Sequence, residues 1–233
     1  KTANRAAEHT GDSQSQSQSQ TSTLNTVRVR VRTNQPTFCS QHKTKAINKM
    51  SISDFRKKKL VFLFEVFFDV NKSGEIDVKD FEQAIESVCT LRGWAKDTPK
   101  NKETYDVMME IWTGLRSKAD KDNDGQVSLN EWCNMWDAYA KDPSSVMDWQ
   151  NAYMNFMFDL EDASHDGGID VTEFTLVCSS YGVDKRECEE AFSKMAQGQT
   201  DVTREQFAAL WKEYFASEDV NAPGNFIFGK TSF

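Results

Sequence analysis

No Cys-x-x-Cys pair occurs among the five cysteines (Cys39, Cys89, Cys133, Cys178 and Cys188), and their number is odd. That pattern favours free, mostly buried thiols in a reducing compartment over a disulfide framework or a cysteine zinc site. Long hydrophobic runs are missing too. The longest, Leu60 to Phe68, is broken by Glu65 and falls far short of the roughly 20 residues that span a bilayer. No secretory hydrophobic segment is visible. Beyond residue 49 the chain holds 34 Asp and Glu against 20 Lys and Arg, without the basic clusters that phosphate backbones require. Nucleic acid is therefore excluded as a partner of that part, and a cationic ligand is favoured. A histidine-paired nucleophile and a catalytic dyad are also wanting, so no enzymatic centre is expected.

The first 49 residues differ from the rest. They carry eight Lys and Arg against two Asp and Glu, with SQSQSQSQ at residues 13–20, VRVRVR at 27–32 and Phe38 as the lone aromatic. Such a segment buries too little apolar surface to offset its ordering entropy, so a disordered leader is expected over 1–49. Met50 opens into an amphipathic pattern and is read as the functional start, with the leader either a dispensable extension or translated upstream sequence. A transit peptide is the competing reading, weakened because VRVRVR alternates like a strand.

From Ser53 onward the apolar spacing is helical. Ile52, Phe55, Leu60, Leu63, Phe64 and Phe67 form one stripe, Phe81, Ile85, Val88 and Leu91 a second, and six more follow to Phe215. The expected fold is all-α: about eight helices in two pairs within one compact domain. Ile76, Val127, Ile169 and Val202 supply short β rungs between the intervening loops. The expected divisions are 50–146 and 147–217 for the two pairs, then a tail over 218–233 that packs on the core.

Three loops share one twelve-residue grammar: DVNKSGEIDVKD at 69–80, DKDNDGQVSLNE at 120–131 and DASHDGGIDVTE at 162–173. Oxygen-bearing side chains stand at positions 1, 3, 5, 9 and 12, glycine at 6, and Ile or Val at 8. Calcium needs six to eight hard oxygen ligands, and this spacing supplies them as the loop wraps, with a backbone carbonyl at position 7. Three matched copies flanked by apolar helices identify EF-hands. The candidate ligands of the first are Asp69, Asn71, Ser73, Glu75, Asp77 and Asp80, and of the second Asp120, Asp122, Asp124, Gln126, Ser128 and Glu131. Those of the third are Asp162, Ser164, Asp166, Gly168, Asp170 and Glu173. Glu75, Gln126 and Gly168 occupy position 7 and contribute through the backbone.

The loops are unequal. Asp80 stands where the others have glutamate and is one methylene shorter, so closure demands a contracted shell that tolerates magnesium. Three calcium sites are expected, with magnesium competing at the first. A fourth loop, MAQGQTDVTREQ at 195–206, is aligned through Val202. It has no inward anionic ligand at either end and is read as structural, with Thr203 and Gln206 forming a capping box.

Four EF-hands with a dead fourth loop, Asp at position 12 of the first and long spacing from the first loop to the second resemble the sarcoplasmic calcium-binding proteins. FFDVNKSGEIDVKDFEQAI, IWTGLRSKADKDNDGQVSLNEWCNMW, YMNFMFDLEDASHDGGID and VTREQFAALWKEYF are more similar still to calexcitins. The resemblance covers roughly residues 53–230. It implies a compact eight-helix domain, a cytosolic location, a role in calcium signalling or buffering, links to membrane excitability and an associated GTP-binding property.

Other features have competing readings. Met108, Met109, Met135, Met154 and Met157 fill the core or line a groove for a target protein. Arg56 to Lys59 make a solvated helix face or touch acidic lipid at the membrane periphery. GNFIFGKTSF at 224–233 fits the phosphate-binding pattern G-x-x-x-x-G-K-[ST], but follows a helix and ends two residues later. It is read as an apolar latch, with weak GTP binding as the alternative. A structural protein merely stabilised by calcium is the third reading. A monomer is expected.

Overall fold

Side-chain caps fix where the helices of the computed structural model begin. Residues 52–142 and 147–233 are described, all within one unit, Ala46–Phe233. The expected leader at 1–49 and the start at Met50 lie outside them. Helix α1 (Asp54–Leu63) starts at Ser53, whose hydroxyl accepts from the Arg56 amide, and widens into a π-helical turn at Phe64–Phe68. Helix α2 (Val78–Arg92) ends at Gly93, whose φ of 67° permits the left-handed cap. Helix α3 (Pro99–Ala119) opens with Thr98 as cap and proline in its first turn, where the missing N–H costs nothing. There follow α4 (Leu129–Lys141), α5 (Asp148–Glu161), α6 (Val171–Ser180), α7 (Lys185–Ala196) and α8 (Arg204–Ala216). A short 3-10 turn, Pro223–Phe226, leads into the C-terminal segment.

Two antiparallel rungs join the loops in pairs. Strand β1 (Glu75–Ile76) meets β2 (Val127–Ser128), with Ile76 opposite Val127. Strand β3 (Gly168–Asp170) meets β4 (Asp201–Thr203), with Ile169 opposite Val202. All four of these apolar residues are buried.

The two halves share one aromatic core. Trp136 of α4 stacks on Phe215 of α8, with centroids 3.6 Å apart and planes 6° from parallel. Phe68 contacts Trp132 at 4.7 Å and Tyr153 at 4.9 Å, joining α1, α4 and α5. Of the five candidate groove methionines, Met108, Met135 and Met157 are buried, and Met109 and Met154 lie partly buried against the core. A small cavity beside Phe67, Phe68, Phe81, Met108 and Tyr153 measures about 10 Å³, room for no more than a water molecule.

The basic run on α1 departs from a solvated face. Lys59 is 1% exposed and donates to the Tyr214 carbonyl at 2.6 Å, the Ser217 carbonyl at 3.0 Å and Asn225 Oδ1 at 2.8 Å. Arg56 is 6% exposed and reaches Asp137 and the carbonyls of Phe215 and Trp136. These acceptors belong to α4, the end of α8 and the tail. Through the Tyr214, Phe215 and Ser217 carbonyls, half of the run satisfies acceptors at the end of α8 that have no intrahelical donor.

The C-terminal segment uses its phosphate-binding pattern for packing. A side chain at Gly224 would begin 2.5 Å from the Leu210 carbonyl, and the Gly224 amide donates to Glu213 at 2.6 Å. Lys230 and Thr231 both bond Glu187 of α7. Ile227 and Phe228 are buried, and the Phe228 ring contacts Phe67, Trp211 and Tyr214. The Gly224 and Thr231 amides, the Lys230 ammonium and the Thr231 hydroxyl are already committed to protein carboxylates.

Candidate metal centres

Each of the first three loops begins at a helix end and finishes as the first turn of the next helix. Asp69, Asp120 and Asp162 follow Phe68, Ala119 and Glu161 directly. Position 6 is glycine with φ near 90° in every case (Gly74, Gly125, Gly167), and its amide donates back to the position-1 aspartate at 2.9, 3.1 and 3.2 Å. Position 4 is also left-handed: Lys72, Asn123 and His165 have φ of 60°, 61° and 60°. Of these, asparagine and histidine are residue types enriched in that conformation, and lysine is not.

The residue at position 12 closes each loop. Glu131 accepts from the Lys121 amide through Oε1 and the Ser128 amide through Oε2, at 2.8 and 2.9 Å. Glu173 joins the Ser164 and Asp170 amides at 2.8 and 3.2 Å. Asp80 spans the Asn71 and Asp77 amides at 2.9 and 2.8 Å, doing with a shorter side chain what Glu173 does. It is buried, whereas Glu131 and Glu173 are partly exposed. Positions 9 and 12 together form a capping box on the following helix in all three loops. Ser128 and Glu131 fit the same S/T-x-x-E/Q signature as Thr203 and Gln206, whereas the aspartates at position 9 of the other two loops do not.

Electrostatics differ accordingly. Burial pushes the Asp80 carboxyl above its usual range, with the Asn71 and Asp77 amides working against it. Burial acts upward on Glu131 as well, but hydrogen bonds from Lys121 and Ser128 outweigh it and the net shift is downward.

Calcium fits the second and third loops by their donor sets. Asp120 Oδ1 and Asp162 Oδ1 are buried with no hydrogen-bond partner, while the other oxygen of each holds the position-6 amide. A buried, unpaired carboxylate oxygen is costly unless a cation satisfies it. Ligand atoms of Asp120, Asp122 and Asp124 lie within 4.8 Å of one another, forming a three-carboxylate cluster. The first and third loops put Asn71 and Ser73, or Ser164, where the second has aspartates. In the first loop both Asp69 oxygens already accept, from the Ser73 and Gly74 amides, and the Ser73 hydroxyl donates to the Glu75 carbonyl at 2.8 Å. Its oxygens are more fully paired within the protein.

The fourth loop has another shape. Helix α7 runs one residue past position 1, to Ala196, and is capped by Gln197, with φ of 51° at Gln197 and 89° at Gly198. The left-handed residues are adjacent here instead of alternating, and Met195 is buried in the core. The loop keeps the rung and the capping box without the ion-facing turn.

Paired helix–loop–helix units with oxygen-lined loops define an EF-hand calcium-binding protein. Residues 66–85 and 117–136 match the EF hand family model. The chain is 32% identical over 187 residues to calexcitin-1 of Caenorhabditis elegans, covering 78% of this chain and 90% of that one. It is 26% identical over 183 residues to sarcoplasmic calcium-binding proteins I, III and IV of Branchiostoma lanceolatum, covering 77% and 98%. The solved sarcoplasmic calcium-binding protein from amphioxus shares the fold with a TM-score of 0.65 at 23% identity, over 77% of this chain and 98% of that one. The chain belongs to the calexcitin and sarcoplasmic calcium-binding protein family.

Proposed function

We propose that this calcium-binding protein holds three ions, one each in loops 69–80, 120–131 and 162–173, and none in 195–206. The orphaned buried oxygens of Asp120 and Asp162, each aided by a position-12 glutamate, support the second and third sites most directly. The first is the weaker calcium site and the one where magnesium competes, because its oxygens are more fully paired and its closing residue is shorter. The protein acts in the cytosol as a non-enzymatic calcium signal or buffer protein, and as a monomer. Its one aromatic core, with methionines inside and the Trp136–Phe215 stack across the halves, favours buffering over a groove-opening sensor. A hydrophobic-surface dye in constant magnesium tests this: no calcium-dependent rise supports the buffer, and a large rise refutes it.

A further inference from the structure

Helix α2 has a candidate calcium ligand in its first turn and a half-buried cation in its last. Asp80, which closes the first loop, is its third residue, and Arg92 its last. Twelve residues of α-helix separate them by about 18 Å. Arg92 shares a cleft with Asp159 and Leu160 at the end of α5 and with Ala163 and His165 inside the third loop. Its Nη2 is buried without a hydrogen-bond partner. Across that junction Glu161 is 0% exposed, and neither of its oxygens has a partner. Burial lowers the pKa of Arg92, while Glu173, Glu161 and Asp162 pull it back up, so the guanidinium lies in the field of two ligands of the third loop. The first EF-hand therefore extends a positive charge to the third calcium site.

We propose that α2 is a lever coupling the first and third sites, with Arg92 as its charged tip. This rests on the reading that both loops bind calcium. Arg92 competes electrostatically with an ion in the third loop and is itself repelled when that ion arrives. Closure of Asp80 on an ion in the first loop re-aims α2 and draws Arg92 away, which favours the third site. Thermodynamic reciprocity then requires a third-site ion to favour the first. The coupling is positive and runs between the two halves, along the helix instead of through the β rungs that join loops within a pair.

The test uses the amides of Gly74 and Gly167, each bonded to its own position-1 aspartate and so reporting one loop apiece in NMR calcium titrations of the full chain. Disabling the first site by Asp69→Ala is expected to raise the calcium midpoint at Gly167 about fivefold, the low end of typical coupling. In an Arg92→Gln background the Gly167 midpoint falls below that of the parent, and Asp69→Ala no longer moves it. Arg92→Lys keeps the charge and retains the coupling, which separates an electrostatic role from a packing one. An unchanged Gly167 midpoint on disabling the first site in the parent overturns the lever, as does coupling that survives Arg92→Gln. If the Gly167 amide ignores calcium altogether, the third site itself is absent and the coupling falls with it, a result distinguishable from failure of the lever alone.

Discussion

At the scale of single residues, side-chain length and buried charge decide the most. Asp80 reaches the same kind of amide pair as Glu173 with one methylene less, and it is buried where the glutamates are not. Asp80→Glu is expected to raise severalfold the magnesium concentration needed to displace calcium from the first loop, read at the Gly74 amide. An unchanged competition curve refutes the argument from length. Lys59 supplies three donors to three oxygens at the junction of α1, α8 and the tail. Lys59→Met leaves those acceptors without a partner and is expected to cost about 1–3 kcal/mol in urea unfolding at saturating calcium. A fully solvated lysine would cost almost nothing, so the measurement separates the two environments. The burial of Arg56 and Lys59 was not legible beforehand. A run of four basic residues reads as a surface face, and the oxygens that claim two of them come from residues 136 to 225.

At the scale of elements, the loops and the tail were legible to different depths. The twelve-residue grammar carried ligand positions, the glycine turn and the apolar rung, since each is a local requirement of wrapping a chain around an ion. The register Ile169–Val202 follows from the same β-branched positions. The path of the fourth loop did not, because α7 overruns position 1 and turns at Gln197 and Gly198. A glycine two positions early is a weak signal until the helix end is seen. The tail's apolar residues suggested packing, while its clamp on Glu187 lies 43 and 44 residues away in sequence. Gly229 has φ of 76°, and a side chain there would begin 2.9 Å from Cys178 Cβ. Gly229→Ala is expected to destabilise the fold by about 2 kcal/mol through left-handed strain and this contact. A melting temperature equal to that of the parent contradicts that.

The clamp also has a pH signature. Burial tends to raise the Glu187 pKa, but hydrogen bonds from Thr231 and Lys230 outweigh it and the net shift is downward. A carboxylate with a depressed folded-state pKa adds stability above its unfolded value, near pH 4, and loses it as pH falls through the folded one. Subtracting the stability of Glu187→Gln from that of the parent should therefore give a positive difference at neutral pH that vanishes on acidification. A difference that grows toward acid has the wrong sign and rejects the clamp.

For the whole molecule, the central claim is that three of four similar loops bind calcium and one has kept only its scaffolding. Among the described residues, the eight helices and the two rungs follow from repeats that the sequence displays openly. Fusion of both halves into one core rests on long-range aromatic pairs such as Trp136 with Phe215, which no local pattern announces. Calcium titration calorimetry on the full chain, with and without magnesium, tests the claim most directly. The account predicts a stoichiometry of three, with the weakest component alone suppressed by magnesium. A stoichiometry of four, or magnesium competition that falls equally on every site, would contradict it.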